Sequence, residues 1–335
     1  MRVLDAGGWS DTWFARHGAV CHLAVGPGAE AFARLSPISP GCEESGSGEV
    51  QLRVADFGDH YGFRLDRPPG RHPLLEATIR RWAPPGRSLE IATTSAVPAG
   101  SSLGTSASVV VALIAALQEL TGPSAVTGPD GLAHGAHEVE TVDLGRQSGV
   151  QDQVAAAYGG ANLVRIAPYP SFDVQPLQLA PDVFDALARR VITVYLGAFH
   201  DSSAVHDTVI KHLAGNEAEA DRLLTPLRDS AARAAIALAE GDLSAYGEAM
   251  IANTEAQAAL HPTLVNPLAR HTIAIADRCG ALGWKVNGAG GTGGTVSLIA
   301  PDDPDRLLKE LELVAQLQVL PLQPARQGAQ VVDRS

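Results

Sequence analysis

The spacing of apolar and polar residues in the first half of the chain predicts strands and helices in mixed order. "PLLEATIRRWA" (73–83) repeats its apolar residues at helical intervals, and "SLEIATTSAV" (88–97) alternates as in a strand with one buried face. A helix from about Ser106 to Leu120 follows and is apolar almost all round, which indicates a central position. Asp130 is a suitable N-cap for a further helix from about Gly131 to Arg146.

The same pattern continues to the end of the chain. "VQDQVAAAYGGANLVRI" (150–166) changes from helical to strand-like spacing at its two central glycines. The predicted elements that follow are a strand in "RVITVYLG", a helix from about Ser202 to Leu213, helical stretches up to about His261, a helix from about Pro267 to Cys279, a strand–glycine loop–strand unit in "WKVNGAGGTGGTVSLIA", a helix in "PDRLLKELELVAQL" and a strand in "QVLPLQPA". Strands and helices do not alternate regularly, which favours an α+β fold.

A length of 335 residues suits about two domains. The segment "APYPSFDVQPLQLAP" (167–181) holds four prolines and has little periodicity, so we predict domains at 1–175 and 176–335. "SPISPGCEESGSGE" (36–49) is typical of an exposed loop between two strands.

Composition excludes several classes of protein. A net charge of −12 argues against a nucleic-acid partner, since such proteins carry a basic face. Cys21, Cys42 and Cys279 are too few and scattered for a disulfide framework or a cysteine metal site. No apolar run has the length of a membrane span, and the first residues lack the pattern of a signal peptide, so we expect a cytoplasmic protein without a membrane partner.

The loop "VPAGSSLGTSASVVV" (97–111) allows three interpretations. "GSSLG" matches the nucleophile elbow of serine hydrolases, with Ser102 as the nucleophile. The preceding strand alternates, however, Pro98 lengthens the turn, and neither His200, His206 nor His261 has a distinctive setting, so this interpretation is disfavoured.

The other two interpretations concern the helix that follows the loop. Small residues let the backbone approach an anion, and the first amides of a helix have no internal partner, which together favour phosphate binding. Thr105 and Ser106 add hydroxyl groups that could contact phosphate. The loop is not a Walker A loop, because the sequence "GK[ST]" does not occur in the chain. A simple Ser or Thr N-cap on a core helix is the alternative.

A second glycine cluster, "GAGGTGG" (288–294), contains G-x-G-x-x-G. A strand rather than a helix follows it, which argues against dinucleotide binding. It remains either a turn between strands or a place where backbone approaches a ligand.

Three separated stretches, "GGWSDT" (7–12), "PAGSSLGTSA" (98–107) and "KVNGAGGTGG" (285–294), resemble the three motifs of the GHMP small-molecule kinases, in the same order. Together with "GVQDQVAAAYGG" (149–160) they are most similar to the fucokinase and heptose-kinase branch. The resemblance implies transfer of a phosphoryl group from ATP to a hydroxyl with Mg²⁺. It also implies a fold with an N-terminal domain like domain 2 of ribosomal protein S5 and a ferredoxin-like C-terminal domain.

The resemblance also implies site residues. Asp152 matches the catalytic aspartate and would take the proton of the acceptor hydroxyl, although "QDQ" alone also suits a solvated loop. The loop around the ATP phosphates would consist of Pro98, Gly100, Ser101, Ser102, Gly104, Thr105 and Ser106.

Glu140 is the predicted Mg²⁺ ligand, with Ser106 completing the site. On its predicted helix Glu140 is in line with the apolar residues Ala133, Ala136 and Leu144, where a carboxylate is costly unless it is paired or metal-bound. Glu138 and Asp143 are the alternatives to test.

Asp11 matches the residue that holds sugar hydroxyls, or else it caps a helix begun by "SDT". Gly8 is expected beside it, and Gly288, Gly290 and Gly291 beside the phosphate loop or the acceptor.

The chain departs from the branch at two places. Arg2 matches a common arginine, but the strand around it is short, and "LGAFHDSSAVH" (196–206) lacks an arginine that the branch often carries. With only 25 Lys and Arg against 37 Asp and Glu, we predict a free, neutral or weakly acidic monosaccharide, and the resemblance to fucokinases implies that its anomeric hydroxyl is phosphorylated. The alternatives are a phosphorylated heptose and a catalytically silent sugar-binding protein, and a homodimer is possible.

Overall fold

The computed structural model describes residues 1–37, 48–122, 128–197, 207, 209–211, 213 and 216–333. The strands are β1 Arg2–Ala6, β2 Gly18–Gly26, β3 Ala29–Ser36, β4 Glu49–Val54, β5 Asp59–Arg64, β6 Ser88–Ser95, β7 Ala161–Ile166, β8 Phe172–Leu177, β9 Val191–Tyr195, β10 Gly283–Val286, β11 Thr295–Ile299, β12 Gln318–Leu320 and β13 Gln323–Pro324. The helices are α1 Pro73–Trp82, α2 Thr105–Thr121, α3 Gly128–Glu138, α4 Gln151–Tyr158, α5 Pro181–Arg190, α6 Glu217–Glu240, α7 Leu243–Leu260, α8 Pro267–Arg278 and α9 Asp305–Glu312.

Strand β2 organises the first sheet, whose order is β1-β2-β7-β8. The short strand β13, from near the end of the chain, also pairs with β2, with Gln323 opposite Gly26 and Pro324 opposite Val25. Helices α6 and α7 pack against this sheet through residues such as Ala234 and Tyr246. The first sheet therefore combines segments from both halves of the sequence.

Helix α2 lies in the centre of the N-terminal half, as its apolar sequence predicts. One side, with Val109 and Leu113, packs against the second sheet, of order β3-β6-β4-β5. Another side, with Val110 and Ile114, packs against α3 and α4. Because α2 is wedged between these layers, the position of its N-terminus is fixed.

The third sheet, of order β10-β11-β9-β12, packs against α8 and α9. Its hairpin β10–β11 carries the glycine cluster 288–294 in its loop. The mixture of separate sheets and helices confirms the predicted α+β class.

Two details differ from the sequence prediction. Asp130 is not an N-cap, because α3 already begins at Gly128 and Asp130 lies in its first turn. The helix also does not continue as regular α-helix to Arg146. It ends at Glu138 and passes into a π-helical turn, Val139–Asp143.

The proline-rich segment 167–181 contains strand β8, so the predicted domain boundary falls within a strand that pairs with β7. The division into two domains stays a prediction. The predicted helix Ser202–Leu213 falls largely outside the described residues. Among the described helices, none combines the length and the apolarity that crossing a bilayer demands.

Candidate active site

A cavity of about 500 Å³ lies at the N-termini of α2 and α4. Five residues predicted from separate parts of the sequence line it together: Asp11, Ser106, Glu140, Asp152 and Gly288. The chain brings them together because the turn after β1, the N-termini of both helices, the π-helical turn and the β10–β11 loop all open into the same space.

The loop before α2 leaves the helix N-terminus uncapped. The N-cap residue is Gly104, at φ +72°, and no side chain caps the first turn. The first amide groups of α2 are therefore available to an anion, and the helix dipole favours negative charge there. This finding rules out the simple Ser or Thr cap as an explanation of the loop.

The predicted phosphate loop faces the cavity through most of its residues: Gly100, Ser101, Ser102, Gly104, Thr105 and Ser106 line it. Pro98 is exposed and is not among the lining residues. Ser102 has φ +60°, and its Oγ is buried without a hydrogen-bond partner among the described residues. The structure thus shows no base that would activate Ser102, and two of the candidate histidines, His200 and His206, lie outside the described residues.

Asp152 lies in the first turn of α4 with its carboxyl group against the α-carbon of Gly104. A Cβ built on Gly104 would lie 2.8 Å from Asp152 Cγ. Two features therefore require glycine at position 104: its left-handed φ and the close approach of the Asp152 carboxyl group to its α-carbon. The contact places the candidate base directly beside the uncapped helix N-terminus.

Arg2 binds Asp152 and the two residues that precede Gly104. Its Nε lies 2.8 Å from Asp152 Oδ1, and its Nη1 donates to the carbonyl oxygen of Ser102 at 2.5 Å. Its backbone N–H donates to the carbonyl of Leu103 at 3.0 Å. Arg2 is 3% exposed, so this ion pair is shielded from water and orients the Asp152 carboxylate more firmly than a surface pair would.

Asp11 is buried and binds the N-terminus of α4. Its Oδ2 accepts hydrogen bonds from the backbone N–H groups of Val150 at 3.0 Å and Gln151 at 3.2 Å. Burial raises the pKa of Asp11 to about 6, and nearby Asp152 raises it further, against the effect of these two N–H groups. Asp11 therefore caps the N-terminus of α4. It does not cap a helix that begins at "SDT".

Glu140 lies in the π-helical turn, half-buried at the cavity wall. Its Oε1 accepts a hydrogen bond from Gln153 Nε2 at 3.3 Å, and burial raises the pKa of Glu140 to about 7. The alternative ligands Glu138 and Asp143 instead both pair with Arg81 of α1. They are not among the cavity-lining residues.

The donor set suits Mg²⁺. Glu140 supplies a carboxylate and Ser106 a hydroxyl, both hard oxygen donors that line the same cavity. A divalent cation would also relieve the cost of a buried, ionised Glu140. The described residues form no group of three or more His, Cys, Asp and Glu side chains able to hold a metal ion.

The predicted substrate-binding glycines occupy different places. Gly288 lines the cavity next to Ser102. Gly290 and Gly291 instead pack against the segment around Leu264, whose carbonyl accepts the Gly291 N–H at 3.1 Å. Gly8 lies behind the wall, where its α-carbon faces Asp5 and the side chain of Gln151.

A buried polar network fixes Gly288. Its N–H donates to Asp5 Oδ2 at 3.0 Å, and its carbonyl accepts from Gln257 Nε2 at 3.1 Å. Lys285 Nζ donates to Gln257 Oε1 at 2.8 Å and lies 3.8 Å from Asp5 Oδ1. Burial lowers the pKa of Lys285 to about 8, although Asp5 opposes this effect.

Sequence reasoning missed the other end of the cavity, which carries two aromatic rings. Phe57 and His72 have ring centroids 5.3 Å apart, and Phe57 is 60% exposed. Glu76 orders the segment before α1 by accepting N–H groups of Gly70 at 2.8 Å and Arg71 at 2.9 Å. The signal in the sequence was Glu76 itself, an acidic residue on the buried face of an amphipathic helix.

Gln151 and Arg146 also line the cavity and were not predicted. Arg146 is exposed and forms no ion pair within 4.0 Å among the described residues. The segment between them is held by Tyr169, whose hydroxyl donates to the Ser148 carbonyl at 2.9 Å and lies 2.8 Å from His137 Nε2.

Comparison with known proteins agrees with this geometry. A family model described as the N-terminal domain of GHMP kinases matches residues 73–160, which include α2 and Asp152. D-glycero-α-D-manno-heptose 7-phosphate kinase of Campylobacter jejuni is 26% identical over 67% of this chain and 65% of its own length, slightly under two thirds. Mevalonate kinase of Thermococcus sibiricus is 25% identical over 74% of this chain and 70% of its own length.

The fold is also that of a solved kinase. The crystal structure of a D-glycero-D-manno-heptose 1-phosphate kinase from Bacteroides thetaiotaomicron superposes with a TM-score of 0.72 at 21% identity, covering 99% of this chain and 98% of that one. The chain thus contains a match to the N-terminal domain of GHMP kinases at residues 73–160, and these relatives, with the three motifs, support its assignment to the GHMP kinase superfamily alongside sugar kinases.

Proposed function

We propose that this protein transfers the γ-phosphoryl group of ATP to a hydroxyl of a monosaccharide. The observation that carries the proposal is the contact between Gly104 and Asp152, which puts an uncapped helix N-terminus and a carboxylate in one cavity. The first is suited to the phosphates of ATP and the second to the proton of an acceptor hydroxyl.

The chemistry follows from that arrangement. The acceptor oxygen forms a bond to the γ-phosphorus, the bond from that phosphorus to the bridging oxygen breaks, and ADP leaves. Asp152 takes the acceptor proton, while Arg2 holds its carboxylate in position. Glu140 and Ser106 would hold Mg²⁺, which neutralises phosphate charge when bound.

The acceptor is proposed to be a free sugar that reacts at its anomeric hydroxyl. The motif similarity to fucokinases supports that position, and Asp11 at the cavity wall supports a polyhydroxylated acceptor. A cytoplasmic location and a homodimer stay predictions from the sequence.

The test is a panel of galactose, fucose, mannose and glucuronic acid with Mg-ATP, read by ADP release. We expect ADP release with at least one free sugar well above the rate without acceptor. Sugar binding by calorimetry with no ADP release from any acceptor would instead favour the silent sugar-binding protein and contradict the proposal.

A phosphorylated acceptor is the second candidate, and Arg146 is the observation that favours it. Arg2 is engaged by Asp152, and Arg71 by Asp59 at 2.5 Å, whereas Arg146 has no such partner among the described residues. A phosphosugar needs a cation for its second phosphate. Mannose 6-phosphate is added to the panel to test this candidate. If Arg146 binds its phosphate, Arg146→Ala should lower kcat/KM for mannose 6-phosphate and leave kcat/KM for the free sugars unchanged.

A further inference from the structure

Gln151 carries a buried hydrogen-bonding group that nothing in the described structure satisfies. It is the first residue of α4, is 8% exposed and lines the cavity. Its side-chain Oε1 is buried and accepts no hydrogen bond from the described residues. Leaving such a group unpaired costs about 1–3 kcal/mol, so a bound molecule that donates to it gains affinity.

The surroundings of Gln151 are defined on two sides. The Gln151 backbone N–H donates to Asp11 Oδ2 at 3.2 Å, and the next residue is Asp152. On the far side, the Gln151 Nε2 lies close to the α-carbon of Gly8. Gln151 is therefore anchored by its backbone to Asp11 and adjoins Asp152 in the chain.

Thr93 Oγ1 and Ser102 Oγ are likewise buried atoms of cavity-lining side chains that form no hydrogen bond with the described residues. Ser102 belongs to the phosphate loop, and Thr93 is on strand β6. Of the three, Gln151 is the one that adjoins Asp152 in the chain, so it belongs with the acceptor.

We propose that Gln151 determines acceptor specificity by accepting a hydrogen bond from a second hydroxyl, on the carbon next to the one that is phosphorylated. This inference rests on the proposed function. Gln151 and Asp152 are consecutive and line the same cavity, which suits hydroxyls on neighbouring carbons. The acceptor class is thus a vicinal polyol.

An acceptor with one hydroxyl and a carboxylate fits this wall poorly. It leaves Gln151 Oε1 unpaired and places a further negative charge beside Asp11, Glu140 and Asp152. The same reasoning predicts that removing the neighbouring hydroxyl from a sugar acceptor is costly.

The experiment compares galactose, fucose, mannose and mannose 6-phosphate with their 2-deoxy counterparts, in the wild type and in Gln151→Met. In the wild type, we expect loss of the hydroxyl to lower kcat/KM about tenfold or more. Gln151→Met should lower kcat/KM for the parent sugar by a similar factor, leave the 2-deoxy sugar within about threefold, and leave the KM for ATP unchanged.

Tyr246→Phe is the matched control, because it also removes a buried polar atom without a partner, but in the core away from the cavity. It should leave the acceptor kinetics unchanged. If Gln151→Met does not fold, Gln151→Glu and the wild-type comparison of each sugar with its 2-deoxy form still decide the question.

The outcomes separate this inference from the proposed function. If the wild type is active but uses 2-deoxy sugars and their parent sugars equally well, the role of Gln151 is overturned and the kinase function stands. The same conclusion follows if Gln151→Met keeps the wild-type acceptor selectivity. A wild type that phosphorylates no sugar overturns both.

Discussion

Gly104 and Asp152 touch each other across 48 residues of sequence, with the α-carbon of the first packed against the carboxyl group of the second. The contact joins the N-terminus of α2 to that of α4. Any side chain at 104 would have to displace the carboxylate that we propose as the base.

Gly104→Ala is therefore expected to lower kcat more than stability. The new methyl group would lie 2.8 Å from Asp152 Cγ and push it away from the acceptor. The left-handed φ of +72° adds a stability loss of about 1 kcal/mol. Steady-state kinetics and chemical denaturation measure the two effects.

Gly122→Ala is the matched control for that experiment. Gly122 ends the same helix at φ +79°, and a Cβ there would meet no described atom within 4 Å. With ψ at −173°, Gly122 is in a backbone region that is even less open to alanine, so this variant should lose at least as much stability, with kcat unchanged. Equal loss of kcat in both variants would show that backbone strain, not the Asp152 contact, is responsible.

Asp152→Asn is expected to lower kcat by about a hundredfold or more, because an amide cannot accept the acceptor proton. The KM for ATP should change little, since the phosphates are assigned to the loop and helix N-terminus. Asp130→Asn serves as the control, because Asp130 of α3 accepts a surface hydrogen bond from Tyr158 of α4, the helix that carries Asp152. Wild-type turnover in Asp152→Asn would remove Asp152 from the mechanism.

Glu140→Gln is expected to raise the Mg²⁺ concentration needed for half-maximal activity by about tenfold, because a neutral amide is a poor ligand for a hard cation. Glu138→Gln and Asp143→Asn are controls, because both side chains pair with Arg81. The wild type should also need more Mg²⁺ at pH 6 than at pH 8, since the pKa of Glu140 is about 7. A Mg²⁺ titration unaltered by Glu140→Gln would exclude this ligand.

The pH dependence of stability reports on Asp11. Its pKa of about 6 in the folded protein exceeds that of an unfolded aspartate, so the folded state binds the proton more tightly. Its contribution therefore favours the folded state at low pH and declines as pH rises through about 6. Denaturation of the ligand-free protein and of Asp11→Asn between pH 4 and 8 should show the variant gaining relative stability over that interval. A constant difference would contradict the raised pKa.

Periodicity and motifs predict many of the helices and strands because these elements depend on residues that are close together in the sequence. The apolar run in α2 and the alternation in β6 are local signals, and both elements form where expected. The glycines of "GAGGTGG" do not all serve one purpose, however. Gly288 lines the cavity, whereas Gly290 packs on Leu264, and only the register of the hairpin decides which one faces which neighbour.

The remaining site residues depend on contacts that sequence spacing does not encode. The pairing of Arg2 with Asp152 joins residues 150 positions apart. Glu140 was found from an apolar stripe on a regular helix, yet it lies in a π-helical turn, and Glu138 before that turn and Asp143 at its end both pair with Arg81. The unpartnered Gln151 Oε1 becomes visible only when its surroundings are known.

The pairing of β13 with β2 bears on how the chain folds during synthesis. Gln323 and Pro324 pair with Gly26 and Val25 at the end of β2. The neighbouring residue of β2, Ala24, lies opposite Arg2 of β1. Strand β13 is translated about 300 residues after its partner. The pairing of β2 at Val25 and Gly26 is therefore completed only after residue 324 has been synthesised. Contacts of such wide sequence separation form slowly, so this end of β2 gains its β13 partner later than its β1 and β7 partners.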